Sequence, residues 1–249
     1  MSSWPGWTWP PDSGVIVTGA ASGIGQATAV LAAQLGLKVA AWDLDAGAVG
    51  ATIERAEGHG ENILPVTGDV TDDAAVAAAM AATTEWVQPA FLVNNAGPTS
   101  LGTEWDFDQV IAAAVGSVHR VSEAFLATDP PQGASIVNIS SVVGIFVASG
   151  EPWYSAAKTA IVGYTRNRAV GLKGRVRVNA IAPGGPIVTP RNRDFLDRPD
   201  MQDILRRNPS GRAGQPEEVA AAILFLLSPA ASYVNGVVLP VDGALSIAG

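Results

Sequence analysis

Short apolar runs rich in valine and isoleucine alternate along the chain with longer segments rich in alanine and leucine, and glycine or polar residues separate them. The short runs have the length and composition of buried strands, and the longer segments those of helices. The predicted strands cover residues 15–17, 37–42, 62–67, 91–93, 135–139, 175–181 and 237–241. Because strands that alternate with helices pair in parallel, the pattern predicts a doubly wound α/β fold, with a mostly parallel seven-stranded sheet and helices on both faces.

Local signals mark the ends of several predicted helices. The first helix ends at Leu35, where Gly36 provides a C-cap, and the helix after the third strand begins at the N-cap Thr71. Further helices are predicted over residues 104–128, 153–173 and 217–227, the first of them bent or divided in two. No repeat or linker interrupts the series, so the sequence predicts a single domain over residues 1–249.

Two segments depart from the alternating pattern. Residues 1–13 form an arm in which prolines alternate with three tryptophans, namely Trp4, Trp7 and Trp9. We expect these indoles to pack on the body of the domain or on a neighbouring subunit. Residues 191–208 are polar and arginine-rich. They lie in a substrate-binding loop at residues 185–213 that is predicted to act as a mobile lid.

Composition narrows the functions open to a chain of 249 residues, of which 48% are hydrophobic. The net charge of -8 argues against nucleic-acid binding, which needs a basic face. Without cysteine there are no disulfides or thiolate metal sites, and His59 and His119 are too far apart in sequence for a metal motif. The first residues do not resemble a signal peptide, and the apolar run 219–227 is too short to span a bilayer. We therefore expect a cytoplasmic protein with no metal, membrane or nucleic-acid partner.

The first strand leads into a glycine-rich turn, Thr-Gly-Ala-Ala-Ser-Gly-Ile-Gly at residues 18–25, and then into a helix. In such a unit the backbone amides and the helix N-terminus bind a pyrophosphate. Asp43 ends the second strand, where a carboxylate accepts hydrogen bonds from adenosine ribose hydroxyls. Because Asp43 would repel a 2′-phosphate and no lysine or arginine stands near it in sequence, the pattern favours NAD over NADP.

A serine, a tyrosine and a lysine follow the fifth strand, at residues 141, 154 and 158. If Tyr154 begins a helix, Lys158 lies one turn away on the same face. Its ammonium group is then expected to lower the pKa of the Tyr154 phenol below the usual value of about 10, which suits acid–base catalysis. Ser141 is expected to donate a hydrogen bond to a carbonyl oxygen. A Tyr-x-x-x-Lys spacing by itself is common in helices and indicates little.

Together these motifs resemble the short-chain dehydrogenase/reductase family over residues 14–243. The matching pieces are the glycine turn, Asp43, Asp69-Val70, Asn94-Asn95-Ala96-Gly97, Ser141, Tyr-Ser-Ala-Ala-Lys at 154–158, and Pro183-Gly184 followed by Thr189. The resemblance implies a Rossmann-type fold, a homotetramer and an alcohol dehydrogenase or ketoreductase activity, with Ser141, Tyr154 and Lys158 as catalytic residues. The short interval from Ser141 to Lys158 differs from that of the enoyl reductases of this fold, whose tyrosine and lysine are more widely spaced.

The resemblance also implies which residues line the cofactor cleft. It assigns the pyrophosphate to Gly19, Ser22, Ile24 and Gly25. It assigns the adenosine ribose to Asp43 and Leu44, the adenine to Asp69 and Val70, and the cleft wall to Asn95, Ala96 and Gly97. It assigns the nicotinamide ribose to Lys158 beside Tyr154, and the carboxamide to Pro183, Gly184, Ile187 and Thr189.

Three positions depart from the family pattern. Ala114 stands where members carry an asparagine that helps to hold a water linking the lysine to solvent, and this puts the proton relay in question. Ser117, one turn further along the helix, is a candidate substitute. The segment around Gly185 is one residue longer than usual, and Ala244 replaces the last glycine of a Val-Asp-Gly-Gly ending, a change expected to affect packing.

The residues expected around the substrate are mostly apolar or aromatic. The main candidates are Val143, Phe146, Trp153, Pro186 and Phe195, with Thr99, Ile145, Val147 and Leu196 as further ones. They predict a hydrophobic alcohol or ketone, aryl compounds included. The lid arginines Arg191, Arg193 and Arg198 are expected to be solvated rather than anion-binding.

Two alternatives stay open. A 3-oxoacyl-carrier-protein reductase would prefer NADP and a basic docking patch, so Asp43 and the negative charge argue against it. A redox sensor that binds NAD without turnover tends to lose the tyrosine, which this chain keeps as Tyr154; only Ala114 favours that reading.

Overall fold

The structure is a computed structural model that describes residues 9–10, 12–98, 106–146, 151–190 and 193–248. Several residues named above lie outside this part, namely Trp4, Trp7, Thr99, Val147, Arg191 and the side chain of Phe195. Trp9 lies within it, and its ring packs edge-on against Phe91 with 5.2 Å between the centroids. This end of the predicted arm therefore packs on the body of the domain.

Seven strands form one sheet in which all neighbouring strands are parallel. They are β1 (Gly14–Thr18), β2 (Lys38–Asp43), β3 (Ile63–Thr67), β4 (Pro89–Asn94), β5 (Ser135–Ile139), β6 (Arg177–Pro183) and β7 (Val238–Val241). Their spatial order is β3-β2-β1-β4-β5-β6-β7, so the direction of winding reverses between β1 and β4. The predicted α/β fold is confirmed, and the predicted strand ends coincide with these or differ by at most two residues. A crevice opens beyond the carboxyl ends of the strands at such a reversal.

Helices cover both faces of this sheet. They are α1 (Gly23–Gln34), α2 (Gly50–Arg55), α3 (Asp73–Trp86), α4 (Phe107–Ile111), α5 (Ser117–Ala127), α6 (Pro152–Gly171), α7 (Pro199–Arg207) and α8 (Pro216–Leu227). The side chains of β1 alternate between two buried clusters, as the pleat of a strand requires. Val15 and Val17 pack with residues of α1 and α8, whereas Ile16 packs with residues of α3, α5 and α6.

The capping signals are partly confirmed. Gly36 follows α1 with a φ of +87°, the left-handed conformation that ends many helices. The assignment of Thr71 as an N-cap is wrong, because the side chain of Asp72 caps α3 by accepting a hydrogen bond from the Ala75 amide at 2.7 Å. Thr71 instead donates from both its amide and its hydroxyl to Asp69.

The helix predicted over residues 104–128 is divided, as expected, within its described part. A π-helical turn, Ala112–Gly116, separates α4 from α5. The run Phe107–Ala127 is long and apolar enough to cross a membrane by length and composition. Half of it is buried inside the fold, which is also the behaviour of a core helix.

The predicted lid contains more regular structure than the sequence suggests. A 3₁₀ turn, Arg193–Phe195, precedes α7 in this segment. Pro199 opens α7, and the apolar side chains of Met201, Ile204 and Leu205 are half-buried while its last two arginines are exposed. The sequence analysis did not predict α7, because its few apolar residues are separated by charged ones.

Candidate active site

The turn between β1 and α1 contains three glycines at positions where a side chain would clash or would strain the backbone. A Cβ atom on Gly25 would overlap the carbonyl oxygen of Gly19 and lie 2.6 Å from Nδ2 of Asn95. Gly19 and Gly23 have φ values of +66° and +57°, which residues with side chains rarely adopt. Ser22 makes no capping bond with its side chain, so bare backbone faces the space at the N-terminus of α1. A pyrophosphate fits this cradle.

Asp43 joins the end of β2 to the glycine turn. Its Oδ2 accepts a hydrogen bond from the Ala21 amide at 2.9 Å, and its Oδ1 accepts one from the Leu44 amide at 2.9 Å. Each carboxylate oxygen keeps a second lone pair, so Asp43 is still able to accept hydroxyl hydrogens. Leu44 beside it is 70% exposed, and Asp43 forms no ion pair among the described residues.

The carboxyl end of β4 is tied to that of β1. Nδ2 of Asn95 donates to the carbonyl of Thr18 at 2.9 Å and to that of Gly19 at 3.2 Å. The Thr18 hydroxyl accepts hydrogen bonds from the amides of Asn95 and Ala96, both at 3.0 Å. Asn95 therefore shapes the cleft by holding the glycine turn, while the exposed Gly97 lies further out.

The loop after β3 is held from the side by α5. Asp69 accepts hydrogen bonds from Thr71, which lower the pKa of its carboxyl group below the usual value. Arg120 of α5 donates to the Val70 carbonyl at 3.2 Å and forms an ion pair with Asp73. The predicted adenine residues are thus fixed in position by a residue that the sequence gave no reason to select.

Ser141, Tyr154 and Lys158 meet at the carboxyl end of β5. The Ser141 hydroxyl is hydrogen-bonded to the Tyr154 hydroxyl and accepts a hydrogen bond from the Val143 amide at 3.4 Å. Lys158 lies one turn after Tyr154 on α6, with its Nζ 5.6 Å from the centroid of the phenol ring. Nζ donates to the carbonyl of Ile139, the last residue of β5, at 3.0 Å. The predicted juxtaposition of the three side chains is present.

The predicted electrostatic effect of this arrangement is wrong for the chain by itself. Burial raises the pKa of Tyr154 above its usual value of 10.0, and the hydrogen bond with Ser141 opposes this rise only in part. Burial also lowers the pKa of Lys158 from 10.5 to about 8. The ammonium group points to a backbone carbonyl and lies over the ring, so removal of both groups from water decides their pKa values.

Two serines that the sequence analysis missed, Ser140 and Ser155, hold the loop after β5 against α6. The Ser140 hydroxyl donates to the carbonyl of Lys158 at 2.8 Å, and the Ser155 hydroxyl donates to the carbonyl of Val143 at 3.0 Å. Between them, a Cβ atom on Gly144 would come within 2.7 Å of the Lys158 backbone. The sequence could have pointed to these two serines, because each lies next to a predicted reacting residue, and residues beside reacting groups often hold those groups in position.

Part of the predicted substrate wall lies beside these groups. The indole of Trp153 packs edge-on against the ring of Tyr154, with 5.6 Å between the centroids and an interplanar angle of 87°. Val143 and Phe146 are half-buried on the loop that carries Ser141. Pro186, also half-buried, lies on the loop after β6. Of these predicted substrate residues, Trp153 is the one that the structure shows in contact with Tyr154 among the described residues.

The loop after β6 approaches the glycine turn. A Cβ atom on Gly23 would lie 3.3 Å from Cγ2 of Thr189, so Thr189 reaches the start of α1. Gly184 lies between the side chains of Val142 and Asp242. A Cβ atom added to it would lie 2.3 Å from Val142 and 2.7 Å from Asp242, so no side chain fits at this position. Pro183 ends β6, and Ile187 is buried. The residues predicted to hold a carboxamide are thus adjacent to the predicted pyrophosphate site.

Ala114 lies in the π-helical turn and is buried. Its carbonyl accepts a hydrogen bond from the hydroxyl of Ser117 at 3.4 Å. The candidate substitute Ser117 is therefore buried, and its hydroxyl donates to the backbone of the helix that carries it. Within the described residues, no cluster of three or more histidines, cysteines or carboxylates is placed to hold a metal ion.

Comparison with known proteins agrees with this arrangement. A family model described as enoyl-(acyl carrier protein) reductase matches residues 19–246. The chain is 40% identical to the 3-oxoacyl-[acyl-carrier-protein] reductase FabG of Thermotoga maritima, over 93% of this chain and 97% of that one. It is 38% identical to levodione reductase of Leifsonia aquatica, over 95% of each chain.

The solved structures lead to the same group of proteins. The crystal structure of levodione reductase superposes with a TM-score of 0.87 at 37% identity and covers 96% of this chain and 99% of its own. The RhlG/NADP active-site complex of Pseudomonas aeruginosa has a TM-score of 0.87 at 28% identity, over 98% of this chain and 99% of that one. FabG and levodione reductase are named as reductases, and this chain belongs with them to the short-chain dehydrogenase/reductase family, whose members are oxidoreductases that act on CH–OH groups with a nicotinamide cofactor.

Proposed function

We propose that the protein transfers hydride between NAD(H) and a hydrophobic secondary alcohol or ketone, aryl compounds included. The observation that carries this proposal is the meeting of Ser141, Tyr154 and Lys158 at the carboxyl edge of the sheet. The glycine turn of β1 opens at the same edge, and Asp43 stands at its side. Reacting groups and a dinucleotide cradle therefore share one crevice.

Tyr154 is the acid of the reduction and the base of the oxidation in this proposal. In reduction its hydroxyl donates a proton to the carbonyl oxygen of the ketone, and in oxidation the phenolate takes the proton back from the alcohol. Because burial raises the pKa of Tyr154, the hydroxyl keeps its proton near neutral pH and is ready to give it. A bound nicotinamide cofactor supplies the hydride for reduction and accepts it in oxidation.

Ser141 and Lys158 assist this proton transfer, Ser141 at the substrate oxygen and Lys158 at the phenol of Tyr154. The Ser141 hydroxyl, already hydrogen-bonded to Tyr154, is placed to donate to the same substrate oxygen. Lys158 holds a positive charge 5.6 Å from the centre of the phenol ring, which offsets part of the cost of forming a buried phenolate, although burial outweighs it and keeps the pKa of Tyr154 above its usual value. With its pKa near 8, Lys158 keeps this charge at neutral pH and loses it in mild alkali.

The preference for NAD rests on the end of β2. A 2′-phosphate would have to lie beside the carboxylate of Asp43 and the exposed apolar side chain of Leu44. Asp43 has no ion-pair partner in the described part of the chain that would neutralise the repulsion. Two similar solved structures, RhlG and a putative 2-deoxy-d-gluconate 3-dehydrogenase from Agrobacterium tumefaciens, contain NADP, so the proposed preference for NAD is supported by the local charge at Asp43 alone.

The proposal is tested by following NADH absorbance with a panel of aliphatic and aryl ketones. We expect turnover with hydrophobic ketones and a loss of kcat of about 10²–10⁴-fold in Tyr154→Phe, the factor that a general acid contributes. The dissociation constant for NADH should change little, because the phenyl ring keeps its shape. Full activity in Tyr154→Phe would contradict the assignment of the acid.

A 3-oxoacyl-carrier-protein reductase is the second candidate, and the identity to FabG supports it. The same assay with an acyl-carrier-protein thioester and NADPH separates the two activities. A catalytic efficiency higher with that pair than with free ketones and NADH would favour the second candidate. The negative net charge of -8 argues against it, because an acidic carrier protein docks on a basic surface.

A redox sensor that binds NAD without turnover is the third possibility, and binding of NADH with no ketone reduced across the panel would support it. A homotetramer in the cytoplasm completes the proposal by family resemblance, and light scattering of the purified protein measures the assembly.

A further inference from the structure

Asn208 is a buried polar residue that none of the proposed chemistry uses. It follows the last residue of α7, where the lid segment returns to the body of the domain, and only 4% of its surface is exposed. A buried amide must find hydrogen-bond partners or destabilise the protein. The partners of Asn208 therefore indicate what the residue holds together.

The side chain of Asn208 ties the lid to the loop after β7. Its Nδ2 donates to the carbonyl of Asp242 at 3.0 Å, and its Oδ1 accepts a hydrogen bond from the Ser210 amide at 2.9 Å. The Ser210 hydroxyl adds a bond to the carbonyl of Gly243 at 3.2 Å. The chain leaving α7 is thus attached to a segment that lies far from it in sequence.

Two glycines make room for this amide. Gly185 has a φ of +69°, and a Cβ atom on it would lie 2.8 Å from Nδ2 of Asn208. Gly243 has a φ of +62°, and a Cβ atom on it would lie 2.6 Å from Oδ1. Gly185 belongs to the segment that the family resemblance led us to regard as one residue longer than usual. The longer segment and the buried amide fit one another sterically.

The two ends of the lid are paired next to this contact. The Val188 amide donates to the Gly214 carbonyl at 2.9 Å, and the Gly214 amide donates to the Pro186 carbonyl at 3.0 Å. Residues on both sides of the lid therefore form a short two-stranded base. The amide of Asn208 lies beside Gly185, the residue before this base, and donates to the loop after β7.

We propose that Asn208 is a positioning residue that fixes the base of the lid and so sets the approach of α7 to the substrate side of the crevice. The expected change in KM rests on the proposed function, whereas the expected change in hydrogen exchange over α7 does not. Loss of the amide would leave the Ser210 amide without its partner and the Asp242 carbonyl with the Leu245 amide as its remaining donor, and α7 would lose its fixed orientation.

Asn179 provides a matched control. It is a fully buried asparagine of β6 that also makes two hydrogen bonds to backbone, through Nδ2 to the Val234 carbonyl at 3.0 Å and through Oδ1 from the Val237 amide at 3.1 Å. These bonds join β6 to the segment before β7 and do not touch the lid. Asn179→Ala and Asn208→Ala therefore remove equivalent bonds at different places.

Hydrogen exchange and steady-state kinetics of both variants test the proposal. In Asn208→Ala we expect faster exchange over α7 and a rise in KM for the ketone of about fivefold to tenfold, the factor that one lost hydrogen bond carries. The dissociation constant for NADH should stay within about twofold, because most cofactor contacts lie on the other strands. Asn179→Ala should lower the melting temperature and leave exchange over α7 and KM unchanged.

Unchanged exchange over α7 in Asn208→Ala, or an equal rise in KM in both variants, would overturn the proposal. If Asn208→Ala does not fold, Ser210→Ala removes only the exposed hydroxyl bond to the Gly243 carbonyl beside Asn208 and should give the same two changes to a smaller degree. The exchange measurement needs no substrate. It therefore distinguishes a failure of this inference from a wild-type protein that does not reduce ketones.

Discussion

Lys158 is a cation inside the protein whose ammonium group donates, within the described part of the chain, to the carbonyl of Ile139. Burial lowers its pKa from 10.5 to about 8, so the folded state binds this proton less tightly than the unfolded chain does. The resulting cost to stability is fully present below pH 8 and disappears as pH rises from about 8 to 10.5. The protein therefore carries a destabilising charge at the place where the proposed chemistry needs one.

Replacing this lysine should exchange activity for stability. We expect Lys158→Met to lose activity and to gain on the order of 2 kcal/mol in free energy of unfolding at pH 7, after the lost bond to Ile139 is allowed for. The gain should shrink between pH 8 and pH 10.5. Denaturant unfolding at several pH values measures it. Tyr154→Phe is the control that loses activity without removing the charge, and an equal gain in that variant would contradict the explanation.

At the scale of elements, β6 and α8 are joined by one buried arginine. Arg177 donates to the carbonyls of Leu226 at 2.7 Å, Leu227 at 3.1 Å and Ser228 at 3.2 Å, at the end of α8, where carbonyls lack partners within the helix. The Ser135 hydroxyl also donates to the Leu226 carbonyl and the Ala231 amide to that of Ser228. Burial lowers the pKa of Arg177 to about 10, yet the group stays charged at neutral pH. A cation at a helix C-terminus is favoured by the helix dipole as well as by these bonds.

Arg177→Met should therefore destabilise the protein by about 3 kcal/mol, because several buried carbonyls lose a donor together. For a chain of this length the melting temperature would fall by about 6–12 °C. Arg175→Met is a matched control two residues away. Arg175 pairs at the surface with Asp129 at 2.9 Å, and loss of an exposed pair should cost less than about 1 kcal/mol. Equal losses in the two variants would contradict the capping role.

The sequence was informative about elements wherever apolar runs and glycines act locally. The seven strands, the glycine turn and the Ser141–Tyr154–Lys158 set follow from such patterns, and the structure has all of them. Long-range contacts were beyond its reach. Nothing local indicates that Asn208 meets Gly185 and Gly243, or that burial would outweigh the charge of Lys158.

Ala244 shows the same limit at one position. The change from glycine was expected to affect packing, but Ala244 has a φ of +71°, a left-handed conformation in which a side chain is strained. The carboxylate of Asp242 holds this turn by accepting hydrogen bonds from the amides of Ala244 at 3.0 Å and Ser246 at 2.8 Å. The effect therefore lies in the backbone, which the sequence alone did not reveal.

At the scale of the whole molecule, the crevice lies where the two halves of the sheet meet. The glycine turn, Asp43 and the loop after β3 lie on one side of the reversal between β1 and β4. Ser141, the N-terminal part of α6 and the loop after β6 lie on the other side. A dinucleotide that spans the crevice would contact both halves, so its binding should stabilise the fold as a unit.

Thermal unfolding with each cofactor tests this arrangement together with the charge at Asp43. At a concentration of about 100 times its dissociation constant, NADH should add about 2.7 kcal/mol and raise the melting temperature by about 5–10 °C. NADPH at the same concentration should give a smaller rise, because its 2′-phosphate meets the Asp43 carboxylate. Asp43→Ser should bring the two rises closer together, whereas Tyr154→Phe should keep the difference. A larger rise with NADPH in the unaltered protein would show that NADP is the preferred cofactor and that the charge of Asp43 is neutralised when it binds.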